Sequence, residues 1–118
     1  MRLFLAGLIV MASAAGAQEW NDRAGDIALS ETDLTDRLVG QTITFYDNGQ
    51  SVYFDDGRYT YTYDGGGTAH GYYRLEQDGV VCVEFVHGFQ RCDRFVLSGD
   101  RLVLQTEAGD RFPVRPQG

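Results

Sequence analysis

From Thr42 onward the chain repeats one pattern: a short run alternating apolar and polar residues, then a turn-forming pair. Alternation with period two marks a strand with one buried face. It predicts strands near 42–47, 50–54, 58–63, 70–76, 80–86, 89–98, 101–107 and 111–115. Between them fall Asn48-Gly49, Asp55-Asp56-Gly57, the run Gly65-Gly66-Gly67, Asp78-Gly79, His87-Gly88, Gly99-Asp100 and Gly109-Asp110. Asn-Gly between strands is the strongest short hairpin signal, because both residues tolerate a left-handed backbone. Parallel strands need long crossovers, which these turns are too short to supply. The expected fold is therefore all-β with one short N-terminal helix: an antiparallel meander of about eight strands. It forms a small barrel or a strongly curved sheet. Pro113 and Pro116 fall in or after the last strand, where an edge tolerates them.

The helix is read over Ser30–Val39 (SETDLTDRLV). Ser30 suits the N-cap, with Asp33 three residues on in a weaker capping box. Glu31, Asp33 and Asp36 place negative charge in the first turns, as the helix dipole favours. Leu34 and Leu38 share a face, and Gly40 is placed to end the helix. A helix this short is not stable alone, so its leucine side must pack on the sheet, over one open end or one face.

The first 17 residues read as a secretory leader. Met1-Arg2 is the charged start, Leu3–Met11 the apolar run, and Ala15-Gly16-Ala17 the small-residue cleavage pattern, giving a mature start at Gln18. The apolar run falls short of the roughly 20 residues that span a bilayer. No cysteine stands at the cut to carry a lipid. The expected product is soluble, periplasmic or secreted, with no stable membrane insertion after cleavage near Ala17-Gln18. The domains are then leader 1–17, a loosely held polar arm 18–29 whose Trp20 docks as a plug or stays exposed, and one β domain over 30–118.

In an exported chain, Cys82 and Cys92 are expected to form a disulfide. Opposed residues in a hairpin keep a constant index sum. Opposing Cys82 to Cys92 therefore also opposes Phe85 to Phe89 and leaves the loop Val86-His87-Gly88. Three-residue hairpin loops end on a left-handed residue, and Gly88 stands there. Counting outward from a hydrogen-bonded Phe85–Phe89 pair makes Cys82–Cys92 a non-hydrogen-bonded pair, the class with the closest side chains. On this register Arg91 and Asp93 share the face of Val81, Val83, Phe85, Phe89, Phe95 and Leu97. They are read as lying where the strand leaves the core or past a bulge, with a polar patch in a barrel mouth as the functional alternative.

Tyr59, Tyr61 and Tyr63 line one face of a strand, with Tyr53, Tyr72 and Tyr73 on neighbouring strands. Tyrosines are ordinary strand formers on a half-wet face. They also offer an apolar body and a polar tip for a sugar, peptide or aromatic ligand, so Tyr59, Tyr61, Tyr63 and Tyr73 are the candidate ligand residues. The loop Val86-His87-Gly88 is the candidate partner contact. His70 and His87 lack metal-ligand spacing, and the Asp-Gly pairs are turn chemistry, so no metal and no cofactor is expected. No serine sits in a nucleophile motif, and no catalytic residue is singled out.

The formal net charge is −7, and all ten basic residues are arginine. An acidic chain repels nucleic acid and anionic lipid, leaving a basic protein or a small ligand as expected partners.

Four segments together resemble a group of small exported proteins of Gram-negative, especially alphaproteobacterial, bacteria. They are LTDRLVGQTITFY, VYFDDGRY, HGYYRLEQDG and VCVEF with QRCDRF, and the match covers most of residues 34–106. Where that group often carries tryptophan after the glycine, this chain has Gly71-Tyr72-Tyr73. The resemblance implies a periplasmic β domain of unknown activity and transfers no catalytic residue. The expected function is a non-enzymatic binding or accessory module. The alternative, by analogy of fold, is a small β-barrel inhibitor of a basic hydrolase of protease or lysozyme type.

Overall fold

A computed structural model describes residues 19–117, so the leader falls outside the described residues. The elements run β1 (Asp26–Ala28), α1 (Glu31–Leu38), β2 (Gln41–Thr44), β3 (Gln50–Tyr53), β4 (Arg58–Thr62), β5 (Thr68–Leu75), β6 (Val80–Phe85), β7 (Gln90–Ser98), β8 (Arg101–Thr106) and β9 (Arg111–Pro113). Strands β2 to β9 form the antiparallel meander in sequence order. The sheet curls into a half-barrel. Its two outer strands meet at one point, where Phe45 bridges Val114 and Arg115 N donates to Thr44 O at 2.8 Å.

The ninth strand, β1, lies in the segment that reads as a loose arm. It pairs with β7 at Ala28–Val96, Ile27–Leu97 and Asp26–Ser98. That edge of β7 is open because β6 covers only its first half, from Glu84–Gln90 to Val80–Arg94. At the junction Phe95 N donates to Gly79 O (2.8 Å), and Leu29 N to Phe95 O (3.2 Å). Side chains pin the arm as well. Asp22 accepts from Arg94 at 3.1 Å, and buried Gln105 donates to Asn21 O at 3.0 Å. Arg111 forms a bidentate pair with Asp26, 2.7 Å at the shorter contact, with side chains only 8% and 2% exposed. Trp20 is half-buried.

Ser30 caps α1 by accepting from Asp33 N at 3.1 Å. Leu34 and Leu38 are fully buried against a core that includes Leu29, Ile43, Phe95 and Leu104. Each leucine contributes about 2–3 kcal/mol of burial, which holds a two-turn helix that propensity alone would not. The helix packs on β2 and β5, two strands that are not sheet neighbours, so it spans one end of the curl. It finishes beside the 54–57 turn, where Gly40 N donates to Tyr53 O at 2.7 Å. In a meander, alternate turns share an end. The turns 45–49, 63–67, 86–89 and 107–110 therefore rim the opposite, open end.

Cys82 and Cys92 are bonded and directly opposed, with Cα atoms 4.0 Å apart, as expected of a non-hydrogen-bonded pair. The loop closes with Phe85 N donating to Phe89 O and Gly88 N donating to Phe85 O, both at 2.8 Å. Gly88 has φ +100°. So short a closed loop is worth about 2–3 kcal/mol. Reduction should accordingly lower the melting temperature while circular dichroism at 25 °C stays that of a β protein. A random-coil spectrum on reduction would show that the bridge carries the fold.

Candidate functional site

Tyr59 and Tyr61 of β4, and Tyr63 just after it, project into the concave side, and the curl gives each a different depth. Tyr59 is 1% exposed, Tyr61 half-buried and Tyr63 57% exposed. Tyr59 packs edge-on against Tyr53 and Phe85, and its hydroxyl hydrogen-bonds Ser51 Oγ at 2.7 Å. Burial pushes that hydroxyl up to about 12, against the opposing pull of Ser51. The contact with Phe85 passes over Gly71, which is opposite Tyr59 on one side and Phe85 on the other. A side chain at Gly71 would collide with the Glu84 carbonyl oxygen, so only glycine lets β5 lie under the two rings. Tyr61 and Tyr63 meet edge to face, with centroids 4.9 Å apart.

These three tyrosines line one pocket with Phe45, Arg91 and Asp93, of about 180 Å³. An apolar cavity of about 150 Å³ holds one benzene ring, so the space suits a single ring or a compact head group. Val81, Val83 and Phe95 close it towards the core, and Asp47, Thr106 and Phe112 stand at its margin.

Arg91 and Asp93 do not lie where the strand leaves the core. Both face into the curl, on the pocket wall. Strand β7 runs straight through this region, so its alternation carries the charged pair onto the same concave face as Phe95. Arg91 Nε donates to Asp93 Oδ2 at 2.8 Å. Asp93 is 4% exposed, and its Oδ1 has no hydrogen-bond partner among the described residues. Burial, the largest influence, pushes the Asp93 carboxyl above the usual carboxylate range, opposed by Arg91 and aided by Glu107.

Tyr73, a candidate ligand residue, does not line the pocket; its hydroxyl donates to Phe54 O at 2.8 Å and its ring abuts Tyr53, bracing the helix end. Phe89 is 58% exposed at the hairpin tip, stacked on Phe85. Val86, His87 and Gly88 are also exposed, with His87 edge-on to Phe85 and Phe89. The candidate partner loop thus sits on the rim of the open end and outside the pocket wall. Among the described residues no group of three or more His, Cys, Asp or Glu is placed to hold a metal, and no helix is long and apolar enough to cross a membrane. No protein-family model, characterised protein or solved structure matches this chain.

Proposed function

We propose that this protein is an exported, non-enzymatic binding module that seats a small ligand in the tyrosine-lined mouth of its half-barrel. The observation that carries the reading is the pocket itself. Graded tyrosine faces stand over a buried carboxylate that has one oxygen paired and the other unpartnered. Binding sites characteristically combine apolar and aromatic walls with a few convergent polar groups. Export is supported by the leader pattern of residues 1–17 and the disulfide.

The mature chain from Gln18 should show amide and tyrosine-ring shifts confined to the pocket when titrated with phenol, indole, methyl glucoside and choline. Tyr63→Ala should abolish them. A panel that moves nothing in the pocket would sink the reading. One observation favours the alternative of a hydrolase inhibitor: Val86 and Phe89 present apolar surface on a covalently braced tip. On that reading the protein forms a salt-sensitive complex with a basic hydrolase, and Val86→Ala or His87→Ala weakens it.

A further inference from the structure

We propose that the group this pocket accepts is an organic cation, an ammonium or guanidinium head; the inference rests on the binding reading above. The argument starts from what the ring faces can do. Aromatic faces carry negative charge density and attract a cation within about 6 Å of the centroid, most strongly where water is thinned out. Here Tyr61 and Tyr63 present rings at right angles to each other, with Phe45 and Phe112 on the lining as well. Perpendicular rings offer faces in two directions. That arrangement surrounds a compact charged head better than it sandwiches a flat neutral ring.

The local charge has the matching sign. Among the described residues Arg91 is the one cation on the lining, and it is already neutralised by Asp93 at 2.8 Å. Asp47 also lines the pocket, and Glu107 lies close enough to act on Asp93. The described lining is therefore net negative, and the Asp93 carboxylate keeps one oxygen unpartnered among the described residues. Arg23, Arg37, Arg101 and Arg115 have no carboxylate partner among the described residues, and none of them lines this pocket. An anionic ligand would meet Asp47 with no unpaired cation among the described lining residues to offset it. A cation gains the ring faces and the uncompensated Asp47 charge, and the net charge of −7 draws it in from a distance.

A head of this kind comes either free, as a small amine, or as the lysine or arginine side chain of a basic protein. Three probes separate the possibilities: choline, its neutral isostere 3,3-dimethylbutan-1-ol, and the peptide Gly-Arg-Gly. Choline or the peptide should bind at least about tenfold more tightly than the isostere, read from amide shifts. Tighter choline identifies a free amine; a tighter peptide identifies a protein side chain. Asp93→Asn should weaken the cation and leave the isostere unchanged. Should that variant not fold, Asp47→Asn at the margin serves the same purpose. An isostere that binds as well as choline overturns the cation assignment and leaves the pocket a binding site. No shift with any probe overturns both.

Discussion

Arg111→Ala should destabilise the protein at pH 7 by about 3 kcal/mol, the scale for removing one partner of a buried ion pair. For a domain of this size that lowers the melting temperature by roughly 10–20 °C. The substitution strands the Asp26 carboxylate, which is 2% exposed, and also removes the 2.8 Å donation from Arg111 to Asn21 O. The effect should depend on pH with a definite sign. The Arg111 hydrogen bond, the largest cause, holds Asp26 down at about 2 against an ordinary 3.8. A carboxyl lowered on folding adds stability that is full above pH 4 and disappears as the pH falls towards 2. In the variant the unpaired carboxyl is relieved by protonation over the same descent. The gap between the two proteins should therefore close as denaturant titrations move from pH 7 to pH 2. A gap that persists at pH 2 would mean that packing of the arginine stem holds the arm, and charge does not.

The meander was legible because its turns announce themselves. Asn48-Gly49 and His87-Gly88 marked where the chain reverses, although the strand read as 42–47 stops at Thr44, and the cysteine spacing set the register of one hairpin to the residue. Ser30 and the leucine pair Leu34 and Leu38 did the same for the helix. Strand β1 was not legible. Asp26-Ile27-Ala28 is too short to show a period, and Ile27 is 66% exposed. What makes it a strand is a vacant stretch of β7 edge, which exists only once β6 has stopped at Val80. The arm's polarity suggested looseness for a related reason. Its Asp22 and Asp26 side chains find Arg94, Gln105 and Arg111 across more than seventy residues of sequence, a separation that no local pattern encodes.

The candidate site was legible in composition and not in depth. Alternation placed Tyr59, Tyr61 and Tyr63 on one face, and they share it. Nothing in RYTYTYD says that the sheet curls tightly enough to bury the first and expose the third. The same curl decides Arg91 and Asp93. On a flat sheet two charges among valines and phenylalanines suggest a strand leaving its core; on a curled one the same face becomes the wall of a cavity. Tyr73 shows the converse. It stands one strand over from Tyr59, but its position further along β5 carries it towards the 54–57 turn, away from the open end.

The junction that makes room for β1 also fixes the second large effect, at Gly79. This residue has φ +77°, and an added Cβ would be driven into the Phe95 carbonyl oxygen and to 3.1 Å from Leu29 N. Both are backbone atoms, held by the hydrogen bonds that tie the turn before β6, β7 and the end of the arm together, so neither can swing aside. Gly99 is the internal control. It has φ +68° in the β7–β8 turn, with open space where a Cβ would stand. Gly99→Ala should cost about 1 kcal/mol, the left-handed backbone penalty alone. Gly79→Ala should cost about 3 kcal/mol or more, since the forced displacement of packed backbone adds to that penalty. The readout is the difference between the two in urea denaturation, together with hydrogen exchange at Leu29 and Phe95. Faster exchange at those two amides in Gly79→Ala, with the β3–β4 amides unchanged, would locate the damage at the junction. Equal costs for the two variants would show that β1 and β7 can part without consequence, and that the arm's ion pairs alone keep it on the sheet.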